Sequence, residues 1–410
     1  PQATIPGGPP TGNQLSAGQP QSFTIDDLEM MAQGNNPTLA QASARVRALR
    51  GNWVQQGLYP NPRLLYKGDE IGDENRAGFQ GFSVAQEIVT RGKLGLAQNI
   101  VAGQIQQAEQ EFAAQDMRVR NDVKLRFYEV LLAQRAMELN QEMERLSGVT
   151  ANTANDLFKA SEVGRSDVLQ ARVELDLVQL QTVKAHNAQE SAWRRLAVVV
   201  GLPELQMRPL SGDLRQDIPD FKWDELWLRL QSCSPELSAA QAKVAAARAT
   251  VQKAYADRCQ NWDVEAGYAH DNATGFDTGG ITVAIPIPLH NRNQGAIRQA
   301  QAEYTAAQAE VDRVALDLRN RLALAFERYS NARELVNRYQ NSILPNAKES
   351  LDLTTSRYRA SETNYPSLLL AQRTLLQTQV AYLESLRELR ETSVLLDGYL
   401  LSDSLPGVMK

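Results

Sequence analysis

The 410-residue sequence holds only two cysteines, Cys233 and Cys259, and three histidines, His186, His270 and His290. The two thiols are too far apart for a CxxC unit and allow at most one disulfide, so neither a disulfide-built scaffold nor a metal cluster is supported. The helical stretch between them makes their pairing doubtful. The histidines sit in unrelated contexts, no clustered titratable set marks a cleft, and neither an enzyme nor a cofactor is expected. Charge of one sign is also missing: 43 Lys+Arg are interspersed with 48 Asp+Glu for a net −5, which removes the electrostatic footprint of nucleic-acid binding. Long apolar runs are absent. The longest, around Leu196 to Val200, falls far short of the roughly 20 residues a spanning helix needs, so any passage through a membrane must be made by β-strands.

What is present is enough for a substantial core, with 43% apolar residues. The chain begins at Pro1 and not at Met, as expected after removal of a leader, although none is visible. Residues 1–22, rich in Pro, Gly, Gln and Ser, read as a flexible N-terminal segment. From Phe23 the chain repeats itself. Phe158-Lys159-Ala160-Ser161-Glu162 returns as Tyr358-Arg359-Ala360-Ser361-Glu362, and Val168-Leu169-Gln170-Ala171-Arg172 as Leu368-Leu369-Leu370-Ala371-Gln372, a period of about 200 residues. Upstream, Pro37, Leu39 and Val46 match Pro235, Leu237 and Val244. The expected organisation is a first repeat over 23–210, a second over 211–400, and a tail over 401–410.

Each repeat carries long helices. Val311, Ala315, Leu318, Leu322, Ala325, Tyr329, Ala332, Val336, Tyr339 and Ile343 keep a 4-3 spacing, the heptad signature of a coiled-coil seam. Leu368, Leu375, Tyr382, Leu386, Leu389 and Leu396 repeat it, with Gln372, Gln379 and Ser393 between them. Ala and Gln fill 97–115 and 296–310, which suits helices packed side by side in a wall. On their own these helices also fit a soluble antiparallel coiled coil.

Each repeat also carries a strand pair, expected at about 62–71 and 78–89, and at about 261–270 and 279–289, with 271–280 as a turn. Trp262, Val264, Ala266 and Tyr268 alternate with Asp263, Glu265 and Gly267; Ile281, Val283, Ile285, Ile287 and Leu289 do so with Thr282, Ala284, Pro286 and Pro288. Their length suits tilted membrane strands. Four strands are too few for a barrel, and open edges in lipid leave backbone groups unpaired at several kcal/mol each. Three copies would supply twelve strands. The expected fold is therefore mainly α with a small β part: a duplicated helix–β-hairpin–helix repeat of long coiled-coil helices, whose four strands per chain contribute to a transmembrane β-barrel shared between copies. Asp263 and Glu265 would face the barrel lumen, either favouring cations or merely keeping it wet.

The segment Arg357-Tyr358-Arg359-Ala360 with Leu368-Leu369-Leu370-Ala371-Gln372-Arg373-Thr374-Leu375-Leu376 resembles the RYxxG…LLDAQRTLL segment of TolC-like outer-membrane efflux proteins. Ser361 stands where that family commonly has Gly, and Leu370 where it commonly has Asp. Val283-Ala284-Ile285-Pro286-Ile287-Pro288-Leu289 with Asn291-Arg292-Asn293-Gln294-Gly295 resembles the strand-to-helix passage of the heavy-metal (cobalt-zinc-cadmium and copper-silver) branch. Ala197-Val198-Val199-Val200-Gly201-Leu202-Pro203 is similar to the family's LxxLLGxP.

The resemblance implies a homotrimer in the outer membrane of a Gram-negative bacterium, with a trimeric 12-stranded transmembrane β-barrel in contact with outer-membrane lipid and a long periplasmic part in which the coiled-coil helices form an α-barrel. It implies a passive exit duct working with a periplasmic adaptor and an inner-membrane transporter, for heavy-metal cations or alternatively for drugs or secreted proteins. The rival reading is a soluble periplasmic coiled-coil scaffold or adaptor, against which the duplicated helix–hairpin–helix order speaks. The reversals Gly164-Arg165-Ser166-Asp167 and Asn364-Tyr365-Pro366-Ser367 would form the periplasmic tip, as plain connectors or as the docking site for an adaptor. Ser166 or Asp167 is expected to cap the new helix. The resemblance assigns Tyr358 and Arg373 to closing a gate there. With Leu370 in place of the usual acid, closure would rest on packing or on Glu362 or Asp167.

Overall fold

A computed structural model of the chain describes residues 22–72, 78–215, 218–272, 274–360 and 362–405. All but the last residue of the N-terminal segment expected over 1–22 lies outside the described residues, as does Ser361; the tail over 401–410 is described as far as 405.

Helices α1 (Ile25–Asn35) and α2 (Pro37–Gln56) lead into strands β1 (Arg63–Asp69) and β2 (Phe79–Ile88), then α3 (Lys93–Lys159) and α4 (Arg165–Val200). The second half follows the same order: α5 (Trp223–Cys233), α6 (Pro235–Ala256), β3 (Trp262–Asp271), β4 (Phe276–Ala284), a rod from Gln294 to Arg359, and α9 (Tyr365–Asp397). Matching local signals explain the matching starts. Asn36 accepts from Thr38 N at 3.0 Å and Ser234 from Leu237 N at 3.5 Å, each as N-cap before a proline preset for the first turn.

The helix α3 has 67 residues and is roughly 100 Å long. Its counterpart rod is α7 (Gln294–Arg338), a π-turn at Tyr339–Ile343, and α8 (Leu344–Arg359). The heptad seam is buried from Leu318 to Val336, but Ile343 is exposed. Beyond it the packed positions are Leu344, Ala347, Leu351 and Tyr358, one residue later than the heptad count predicts. A π-turn inserts one residue, and Pro345, which has no N–H for Asn341, is the reason for a wider turn here. On α9, Gln372 lies buried in the seam and donates to Thr150 Oγ1 of α3 at 2.9 Å, which ties the register of the two helices.

The helices stand in a layer. Towards the reversals at 160–164 and 360–364 the order is α4, α3, α9, α8; towards the sheet it is α2, α3, α6, α7. At mid-height the segment 203–222 straps across them. Trp193 Nε1 donates to Leu205 O at 2.9 Å, Arg390 Nε to Leu214 O at 2.8 Å, and Tyr329 Oη to Pro219 O at 2.7 Å, above cores built on Leu28, Val123, Leu196, Leu322 and Leu389.

The sheet is antiparallel in the order β1-β2-β3-β4. Its last strand differs from expectation. Pairing starts at Asp271↔Phe276, so most of the expected 271–280 turn is strand, and it stops at Asp263↔Ala284. Pro286 and Pro288 have no N–H to continue a ladder, so 285–289 runs on outside the sheet.

Close helix approach is tightest at Gly103 of α3, where a Cβ would lie 2.8 Å from Ala246 Cα of α6. Gly103→Leu is expected to destabilise the fold by about 1–3 kcal/mol through overpacking, read as a lowered denaturant midpoint.

Candidate functional site

The strand register sorts the sheet into two faces. Directly opposed residues share a face, so Leu64, Val84, Ala266 and Ile281 form one row, and Tyr66, Phe82, Tyr268 and Gly279 the next. With Val264, Val283, Ile88 and Trp262 they make an apolar face whose side chains are exposed, Leu64 and Ile281 by more than three quarters. Aromatic rings stand at both ends of this band, Trp262 at one and Tyr66, Phe82 and Tyr268 at the other, as in a membrane barrel wall.

The opposite face is mostly small and polar. Gly81, Ser83, Ala85, Glu265, Gly267, Ala269 and Thr282 line it, with Arg63, Lys67, Asp69, Glu87 and Asp263; Leu65, and Phe79 and Phe276 at the turn end, are its large apolar members. Two of the expected lumen acids are engaged: Asp263 pairs with Arg63 at 3.6 Å, and Glu265 accepts from Ser83 Oγ at 2.6 Å. Among the described residues β1 and β4 each have one side without a partner strand.

At the far end of the helices lies the second group of predicted residues. Tyr358 and Tyr365 are buried against each other, ring centroids 6.1 Å apart, on a core with Ala154, Ala171 and Leu368. Burial holds the Tyr365 hydroxyl neutral, pushing its pKa up to about 12, with Glu174, Tyr358 and Asp167 adding to the effect. Burial and then Asp167 raise that of Tyr358.

Arg373 pairs with Glu174 of α4, Nη2 to Oε2 at 2.6 Å, while Glu362 stands 3.9 Å from Arg357. Glu174 was not among the predicted acids; its place one heptad after Asp167 on the same helix is the signal that points to it. Leu370 is 68% exposed on α9. The α4 cap differs from expectation. Gly164 is the N-cap, without a side-chain cap, and Ser166 bonds to Asp167 at 3.3 Å, because both already lie inside the first turn. At the other reversal Asn364 caps α9, accepting from Ser367 N at 3.2 Å.

The family model for outer membrane efflux proteins matches residues 29–202 and again 229–400, one match per repeat. The chain belongs to the outer membrane efflux protein family. It is an outer-membrane efflux channel protein with a periplasmic helical part. The cobalt-zinc-cadmium resistance protein CzcC of Cupriavidus metallidurans is 25% identical over 92% of this chain and 90% of its own. In fold, a crystal structure of CusC superimposes with TM-score 0.78 at 16% identity, covering 98% of this chain and 99% of that one. The outer membrane protein VceC of Vibrio cholerae does so with TM-score 0.74 at 18% identity, covering 92% and 94%.

His186 stands 3.4 Å from Glu190 and His270 2.7 Å from Asp277, and the two cysteines are unbonded at opposite ends of α6. Among the described residues no three metal-ligating side chains converge.

The tip has a pH signature. A tyrosine whose folded pKa is raised above its unfolded value contributes stability that is complete below pH 10 and lost as pH rises through the folded pKa. Alkaline unfolding should therefore steepen between pH 10 and 12, and Tyr365→Phe should flatten that window while leaving stability at pH 7 within about 1 kcal/mol.

Proposed function

We propose that this chain is one third of a passive homotrimeric exit duct, closed by two further copies, which exports heavy-metal cations delivered by an inner-membrane transporter and a periplasmic adaptor. The observation that carries the trimer is the four-stranded sheet with an exposed apolar face and two free edges, since three such sheets make a barrel of twelve strands. The helical layer asks for the same closure. On its outermost helix α4, Leu169, Val173, Leu177, Leu180 and Val183 form an exposed apolar stripe opposite the side packed on α3, which fits the free side of α8 in the next copy.

Cations are favoured by the relative CzcC, a metal resistance protein, and by the acids Glu87, Asp263 and Glu265 on the polar face of the sheet, which becomes the lumen. Asp263 and Glu265 are held by Arg63 and Ser83, so their effect is that of a fixed acidic lining. The duct performs no reaction of its own.

At the tip, the loops carrying Gly164, Arg165 and Asp167, and Asn364 and Tyr365, meet the adaptor. The packed pair Tyr358 and Tyr365 and the ion pair Arg373–Glu174 hold α9 against α4 and α8 in the closed state, with Glu362 and Arg357 at its margin. Purified protein should insert into planar bilayers as a low-conductance trimer, and the double variant Tyr358→Ala with Arg373→Ala should raise the single-channel conductance at least two-fold. An unchanged conductance would remove these residues from the gate, and failure to insert at all would remove the duct.

A further inference from the structure

The apolar face of the sheet does not end where the strands do. After Ile88 and Trp262, its last outward residues, Ile285, Ile287 and Leu289 continue the alternation of β4 as an extended segment, 53%, 75% and 66% exposed. Leu58 and Tyr59, before β1, are exposed as well.

Three chain passages meet at this level. Thr90 N and Oγ1 bond to Asn261 Oδ1 and Gln260 O at 3.3 and 3.2 Å, and Asn293 Nδ2 donates to Ala254 O at 2.8 Å. Each passage brings an exposed arginine: Arg91 between β2 and α3, Arg258 between α6 and β3, and Arg292 before α7.

The local acids are already engaged, Glu87 by Asn261, Asp257 by Lys253 and Asp263 by Arg63. None of the three arginines has a carboxylate partner among the described residues, although most arginines on the helices are paired. Counting 58–63, 86–93, 253–263 and 285–294, six basic residues (Arg63, Arg91, Lys93, Lys253, Arg258, Arg292) face three acidic ones. Among the described residues the other end of the sheet has the reverse balance, Lys67 against Asp69, Glu70, Asp271 and Asp277. The N-termini of α3 and α7 lie at the same level, and neither has a side-chain cap or an acidic residue in its first turn. The N-terminal ends of their dipoles add positive potential.

We propose that this junction is a docking surface for anionic phospholipid headgroups in the leaflet facing the helical part, with Arg91, Arg258 and Arg292 binding phosphate and Ile285, Ile287 and Leu289 seated at the acyl boundary. The inference rests on the membrane placement of the sheet. It adds to that placement a preference for one lipid charge and one leaflet. Unpaired guanidinium groups just beyond an apolar band meet the headgroup layer, where each contributes attraction to an anionic surface and a forked fit to phosphate.

Tryptophan quenching tests it. In a Trp53→Phe background, Trp262 is the tryptophan at this level, and its quenching is compared in phosphatidylcholine vesicles doped with brominated phosphatidylglycerol or brominated phosphatidylcholine. The expected relative binding constant is about five or more in favour of phosphatidylglycerol, the order expected for one basic residue at an anionic surface. It should fall to about one in Arg91→Gln/Arg258→Gln/Arg292→Gln, and more than half of it should survive in the corresponding Arg→Lys triple and in a control with Arg47, Lys243 and Lys348 changed to Gln. Equal quenching by the two lipids in the unaltered protein, or an undiminished preference in the Gln triple, overturns the proposal. Quenching by neither lipid overturns the membrane placement with it.

Discussion

A backbone N–H or C=O in hydrocarbon has only the protein to bond with, and each one left unpaired is penalised by several kcal/mol. The four-stranded sheet of this chain satisfies its three internal ladders and, among the described residues, leaves the outer sides of β1 and β4 open. The apolar face of Leu64, Phe82, Val84, Tyr268 and Ile281 is exposed, and the proposed closure by other copies is what would keep those edges from lying unpaired in lipid. The small residues of the opposite face, with Gly81 so near Ala269 that a Cβ would lie 2.5 Å from its own, let the sheet curl toward that side.

The helices obey a weaker version of the same demand. Their layer ends in α4, whose stripe from Leu169 to Val183 has no cover among the described residues. Duplication supplies two long rods of nearly equal length from one design, and the girdle over 203–222 binds them at mid-height where core residues are densest. The two repeats differ in one respect: α3 runs unbroken, whereas its counterpart passes through the π-turn before reaching Tyr358 near its end.

Much of this was legible beforehand because periodicity records burial. The heptad residues Leu318 to Val336 and the alternation Trp262 to Tyr268 named the buried seam and the outward face correctly. Other features depend on events that periodicity does not encode. A single π-turn moved the seam from Ile343 to Leu344, and two prolines ended β4 at Ala284 even though its apolar alternation runs on to Leu289. Nor does spacing reveal partners across helices. Arg373 finds Glu174 on α4, and Asp263 finds Arg63 two strands away, because tertiary packing chooses among many acids and bases that sequence leaves equivalent.

The account stands or falls on the open edges of the sheet. With Cys233 and Cys259 replaced by Ser, Leu65→Cys on β1 can be combined with single Cys substitutions along β4 from Phe276 to Ala284 and oxidised in membranes. The account predicts disulfides between copies at a restricted set of β4 positions, giving a ladder of bands that stops at three chains. Absence of any cross-link across the scan, or a ladder that continues past three, would contradict it.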